Sequence, residues 1–261
     1  MKLRTKIWLI VATCLFVVGA TLFVGALQSA NWDLGVLSTH RMETNRHELT
    51  ESFQNITIST VSADISVLPA TDGKVTVVCT EWENQAHTGE VKDGTLTVKM
   101  EDSREWYHHI GIHWGDPKIT VYLPSGDYGS LKVNATTGDI TIRNTDWANI
   151  DLSVTTGDIQ MADITCARFS VQAVTGDTRL KNVIATDSMT IDSTTGDVTF
   201  DDCDAPTITV DVTTGDVTGS LRTGKVFDIH VTTGDVEVPP SAGSGICKIS
   251  ATTGDIRLTI Q

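Results

Sequence analysis

Seven aspartates follow glycine at a regular spacing in this chain, and a column of carboxylates is the first chemistry the sequence offers. Thr-Thr-Gly-Asp occurs at 136–139 and returns at 155–158, 174–177 (with Val174 for the first Thr), 194–197, 213–216, 232–235 and 252–255. The glycines step by 19, 19, 20, 19, 19 and 20 residues. Stacked carboxylates would bind cations or basic partners, and rows of Thr would suit a regular surface. The competing role is structural: Gly takes the positive φ of a sharp turn, and Asp hydrogen-bonds nearby backbone. Near-identical copies favour the structural role, because a catalytic residue is unique in its chain.

Other groups point to chemistry less directly. Asp192 and Asp211 sit in one repeated column, as the carboxylates of a β-helical polysaccharide lyase or hydrolase would. A two-carboxylate mechanism needs two different environments, however, and a repeated exposed column supplies one. Calcium-binding β-rolls carry a denser Gly-Asp pattern than one copy per repeat. Adjacent Thr side chains on a strand point to opposite faces, which argues against a flat ice-binding array. The segment 105–114 holds Trp106, His108, His109, His113 and Trp114. If extended, His109 and His113 share one face. Histidines without Cys or carboxylate partners at set spacing are a weak metal signal, and an amphipathic arm is the plainer reading. No catalytic, cofactor-binding or metal residue is assigned from sequence.

The elements that carry these residues follow from alternation. Aligned on the glycine, the positions seven before it are Leu131, Ile150, Phe169, Met189, Ile208, Phe227 and Cys247. Five before it stand Val133, Leu152, Val171, Ile191, Val210, Ile229 and Ile249. Residues between them are polar. After the turn, Ile140, Ile159, Thr178, Val198, Val217, Val236 and Ile256 resume the apolar column, followed two residues on by Ile142, Met161, Leu180, Phe200, Gly219, Val238 and Leu258. Thr178 and Gly219 depart from the pattern, and local loosening is expected there. This is strand periodicity with one buried face. The expected fold is all-β: a parallel β-solenoid of about 19-residue coils stacked at about 4.8 Å per coil.

The chain divides into four stretches. Residues 1–6 carry Lys2, Arg4 and Lys6 and are expected in the cytoplasm. Residues 7–27 are uncharged and long enough for a transmembrane anchor; a cleaved signal peptide is the competing reading. Residues 28–52 read as a linker. Residues 53–261 form the β domain, with regular repeats from 131 and an irregular β-rich section before them. There Asp64-Ile65 looks like a degenerate repeat, Asp93-Gly94 a turn, and roughly 79–116 a hairpin-like excursion. The chain ends soon after the last repeat, so the final strand is expected to be an open edge.

The net charge of −14 excludes a nucleic-acid binder, which needs a basic stripe. Beyond the anchor lie Cys79, Cys166, Cys203 and Cys247. Only Cys247 falls in an inward column, so pairing cannot be deduced, and buried free thiols are at least as consistent as disulfides.

The Thr-Thr-Gly-Asp-Ile/Val copies, the preceding strand 119–124 and the single N-terminal anchor together resemble a bacterial family of β-strand-repeat proteins, called "putative adhesin" or toast-rack proteins. The resemblance covers roughly 53–261. It implies an extracytoplasmic β-solenoid without catalysis, without cofactor and with no catalytic residues to carry over. Relatives resemble components found near envelope-stress systems. The function expected is therefore a non-enzymatic, membrane-anchored scaffold or sensor. Its partner would be a cell-envelope component: a wall polymer, a lipid surface or a membrane protein. A polysaccharide-binding or polysaccharide-cleaving β-helix is the alternative.

Overall fold

The computed structural model describes residues 3–29, 32, 42–82, 85–102 and 115–261. They fall into two units: an N-terminal helix, and a β domain built from 42–103 and 116–261. The His- and Trp-rich segment 105–114 lies outside the described residues, as does His40.

Helix α1 spans Leu3–Ser29. Its stretch Trp8–Ser29 has a mean hydropathy of 2.4 and is long and apolar enough to be a membrane span or a signal sequence. Thr13 and Thr21 do not spoil it, because their hydroxyls donate back to the carbonyls of Leu9 (2.8 Å) and Val17 (2.9 Å).

The β domain opens with β1 (Met42–Leu49), β2 (Asn55–Ser62), β3 (Asp64–Pro69), β4 (Val75–Trp82), β5 (Gln85–Lys92), β6 (Thr95–Asp102) and β7 (Lys118–Leu123). The regular part follows as β8 (Asp127–Thr137), β9 (Ile140–Arg143), β10 (Asp146–Thr156), β11 (Ile159–Thr175), β12 (Thr178–Thr195), β13 (Val198–Cys203) and β14 (Thr207–Thr214). It ends with β15 (Val217–Leu221), β16 (Lys225–Thr233), β17 (Val236–Glu237), β18 (Gly245–Thr253) and β19 (Ile256–Ile260).

Two ladders run side by side, joined at the Gly-Asp corners. Strands before the corner pair in the order β6–β2–β8–β10–β11–β12–β14–β18–β16, all parallel, with β5 antiparallel outside β6. Strands after it run β7–β3–β9–β11–β12–β13–β15–β19–β17, also parallel, with β4 and then β1 antiparallel outside β7. The inward columns read from sequence are the core: Leu131, Ile150, Phe169, Met189, Ile208 and Cys247 are all buried. Columns merge because in-register pairing places equivalent apolar residues of adjacent repeats side by side, which no single repeat achieves alone.

Three expectations are corrected. The final strand is not an open edge: β19 pairs with both β15 and β17, and β18 with both β14 and β16. The seventh repeat is inserted between the fifth and the sixth, and the sixth is outermost. Its inward residues Phe227, Ile229 and Val231 are consequently only half-buried, and Val236 is 47% exposed. Second, the linker read over 28–52 includes β1, which zips onto β4 from Met42↔Trp82 to Leu49↔Val75. Third, Gly219 is tight rather than loose: it has φ 129°, and a Cβ there would sit 1.8 Å from the Phe200 carbonyl oxygen. Thr178 fills its column fully buried, with its hydroxyl unpartnered.

The connecting segments are also part of the core. β11 and β12 run straight through them, and a second corner forms at Asn144, Asp163, Asn182 and Asp202, all with positive φ. Asn and Asp tolerate that conformation better than other side chains. Beyond it Trp147, Cys166, Ala185 and Ala205 are buried.

Candidate binding surface and buried polar cluster

The carboxylate column is consumed by the fold. Each corner Asp except Asp235, which lies in the outermost layer, accepts through Oδ1 the main-chain N–H of the Asp in the next layer. The chain of bonds runs Asp64 to Asp139 (3.0 Å), Asp139 to Asp158 (2.8 Å), Asp158 to Asp177 (2.8 Å), Asp177 to Asp197 (2.9 Å), Asp197 to Asp216 (2.8 Å), Asp216 to Asp255 (2.7 Å) and Asp255 to Asp235 (2.8 Å). Asp64 begins this ladder, as the degenerate copy predicted. The glycines are equally constrained: at Gly176, φ is 133° and a Cβ would lie 2.1 Å from the Gly157 carbonyl oxygen. Several second oxygens are neutralised as well. Arg179 bridges Asp158 (3.1 Å) and Asp177 (2.6 Å), and Arg257 pairs with Asp255 at 2.7 Å. The Asp235 N–H, and then Arg257, hold the Asp255 carboxyl below the usual carboxylate range.

Beside the corners, the outward column before each turn lies in strict register: Ser153↔Gln172↔Asp192↔Asp211↔Ser250. With Thr155, Thr194, Thr213 and Thr252 these residues line a shallow depression of about 510 Å³. The first Thr of these corners lines the depression, whereas the second is exposed at the end of its strand and does not line it. Asp192 and Asp211 are brought together in adjacent layers. Partial burial, then Asp211, pushes the Asp192 carboxyl up. No His, Lys, Arg or Cys is among the residues lining the depression. Hydroxyls, an amide and two carboxylates can hold a polyol or a cationic group.

A second polar assembly lies inside the domain, and the sequence reading missed it. Alternation along β4 puts Val77, Cys79 and Glu81 on one buried face, and β5 adds His87. Glu81 is 1% exposed and His87 4%. Glu81 Oε2 accepts from the His87 main-chain N–H (2.7 Å) and lies 2.8 Å from His87 Nδ1. Glu81 Oε1 accepts from Asn45 Nδ2 at 2.8 Å, and His87 Nε2 lies 3.1 Å from Thr60 Oγ1. The ligand atoms of Cys79, Glu81 and His87 all lie within 4.8 Å of one another. The available signal was Glu81 itself, a carboxylate at an inward strand position that requires a buried partner. His47, on β1, is exposed.

The four cysteines of the β domain are free and buried. Burial, aided by Glu81, pushes the Cys79 thiol up to about 12. Lys225 is also buried, held by Asp204 and by Thr223 Oγ1 at 2.5 Å, which fastens outermost strand β16 to the segment beside it.

These features are a repeated structural corner, a polar surface carrying two carboxylates in adjacent layers, and a parallel double ladder. The family model Toastrack DUF4097 matches residues 53–261. The chain belongs to the toast-rack family. A "putative adhesin" from Bacteroides fragilis shares 20% identity at a TM-score of 0.57, covering 84% of this chain and 97% of that one. "Putative adhesin" structures from Parabacteroides distasonis and Parabacteroides merdae match at 13% and 12% identity, with TM-scores of 0.48 and 0.46. They cover 85% and 84% of this chain and 98% and 96% of theirs. No curated protein matches the sequence. The toast-rack domain thus spans nearly the whole β domain, and at such identities the B. fragilis likeness concerns its fold.

Proposed function

We propose that this toast-rack protein is a non-enzymatic, adhesin-like scaffold. In this reading α1 stays in the membrane with its basic N-terminus cytoplasmic, and the β domain is a parallel β-solenoid outside the cell. Its polar face, centred on Asp192 and Asp211, meets a cell-envelope component. The observation that carries the reading is the Asp ladder. The most repeated functional-looking group is spent on inter-layer hydrogen bonds, which leaves surface presentation rather than chemistry as the use of the repeat. An acidic, hydroxyl-rich face favours a wall polymer carrying hydroxyl or cationic groups over an anionic lipid surface, which it would repel.

Co-sedimentation of residues 42–261 with cell-wall sacculi and with anionic vesicles tests this. The expected result is binding to sacculi that weakens in Asp192→Asn/Asp211→Asn. Retention on vesicles alone, or cleavage of wall glycan that disappears in either single variant, would sink it.

A further inference from the structure

We propose that Cys79, Glu81 and His87 form a buried divalent-metal site, suited to Zn(II), that fastens the antiparallel end of the β domain. The ligand atoms would be Cys79 Sγ, Glu81 Oε2 and His87 Nδ1, which already lie within 4.8 Å of one another. A mixed sulfur, nitrogen and oxygen set suits zinc and disfavours calcium and magnesium, which take oxygen alone.

The surroundings are those of a metal site. Metal-bound His donates its other ring N–H to a polar neighbour, and bound carboxylates are hydrogen-bonded in turn. Here His87 Nε2 faces Thr60 Oγ1 at 3.1 Å, and Glu81 Oε1 accepts from Asn45 Nδ2 at 2.8 Å. Those four residues would satisfy one another without Cys79. The thiol is the group left over: it is 1% exposed and, among the described residues, has no hydrogen-bond partner. A metal is the partner that engages all three.

Proton and charge balance both close. In the neutral tautomer that carries Nδ1–H, the metal-free ring donates to Glu81 and accepts at Nε2 from the Thr60 hydroxyl. Binding moves the ring proton to Nε2, and the Thr60 hydroxyl turns to accept it. The thiol releases one proton to solvent as the S–metal bond forms. One thiolate and one carboxylate then cancel the ion's two positive charges, leaving a neutral site, as low-dielectric surroundings require. Three protein ligands leave one position of a tetrahedral ion for water. The site would join β4 to β5, with β1 held through Asn45 and β2 through Thr60.

The test uses the full-length chain in detergent, stripped with chelator and titrated with cobalt(II) chloride. The expected result is a thiolate-to-cobalt charge-transfer band that saturates at one equivalent, is displaced by Zn(II), and vanishes in Cys79→Ser but not in Cys14→Ser. Zn(II) should raise Tm by several degrees in the wild type and not in Cys79→Ser, whose fold is checked by circular dichroism. Asn45→Ala, which leaves all three ligands in place, should weaken binding about 10–100-fold. Should Cys79→Ser fail to fold, the wild-type titration still decides. No thiolate band, with Tm unchanged by Zn(II), would mean a hydrogen-bonded cluster only and overturn the site. A thiolate band that survives in a folded Cys79→Ser would overturn it too. Cobalt held by the histidines of 105–114 alone would give no thiolate band.

Discussion

The main-chain N–H of Asp216 donates to Oδ1 of Asp197, 2.8 Å away in the neighbouring layer. The same bond joins every pair of adjacent corners from Asp64 to Asp235, so the side chain that looks most available for binding is a structural acceptor. Asp197→Ala leaves one corner N–H without its acceptor. Such a loss costs about 1 kcal/mol at this exposed position, or roughly 2–4 °C in Tm for a domain of this size. Asp197→Asn keeps an oxygen in place and should melt clearly above Asp197→Ala. Thermal melts of the two variants check this, and equal melting temperatures would refute the ladder's role.

Gly176 and Gly126 make a matched pair. A Cβ at Gly176 meets the Gly157 carbonyl oxygen at 2.1 Å with φ at 133°, whereas one at Gly126 meets nothing within 4 Å. Gly176→Ala should lose about 3 kcal/mol or more through strain and layer separation. Gly126→Ala should stay within about 0.5 kcal/mol of the wild type. Urea denaturation midpoints decide.

Layer order predicts an inverted pattern of protection at the C-terminus. β19 lies between β15 and β17, while β17, among the described residues, pairs on one side only. Amide hydrogen exchange should therefore be slower at 256–260 than at 236–237, although the former are within six residues of the chain end. Faster exchange at 256–260 would contradict the inserted seventh repeat.

Acid should weaken the second corner. The Arg222 guanidinium beside Asp202 (2.6 Å) holds its carboxyl below the ordinary range. A carboxylate with a lowered folded pKa contributes stability above its unfolded value, near 3.9, and that stability is lost as pH falls through the folded value. Tm of the wild type should exceed that of Arg222→Gln at pH 7, and the two curves should converge in the acid limb. A gap that persists at low pH would assign Arg222 a packing role instead.

Local features were legible in the sequence. Two-residue alternation predicts Leu131, Val133 and Ile140 inward, and the recurring Gly predicts a positive-φ corner; both depend on neighbours along the chain. The second corner at Asn144, Asp163, Asn182 and Asp202 was equally available, since each stands six residues after a repeat glycine. Of the Glu81–His87–Cys79 cluster only the inward Glu81 was a signal; its partners were not legible, because Asn45 and Thr60 come from strands up to 42 residues away from His87.

The sequence by itself determined the repeat, its inward columns, its glycine corners and the apolar N-terminal helix. These follow from steric limits on φ and from the two faces of a strand. Only the tertiary structure decided which repeat lies beside which, and hence which edge is left unpaired. The physical reason is degeneracy: every copy carries the same backbone donors, acceptors and apolar columns, so the period allows any copy to pair with any other. The choice of neighbour rests on non-local contacts, among them buried Lys225 with Asp204 and the antiparallel strands β1, β4 and β5 that close the opposite end.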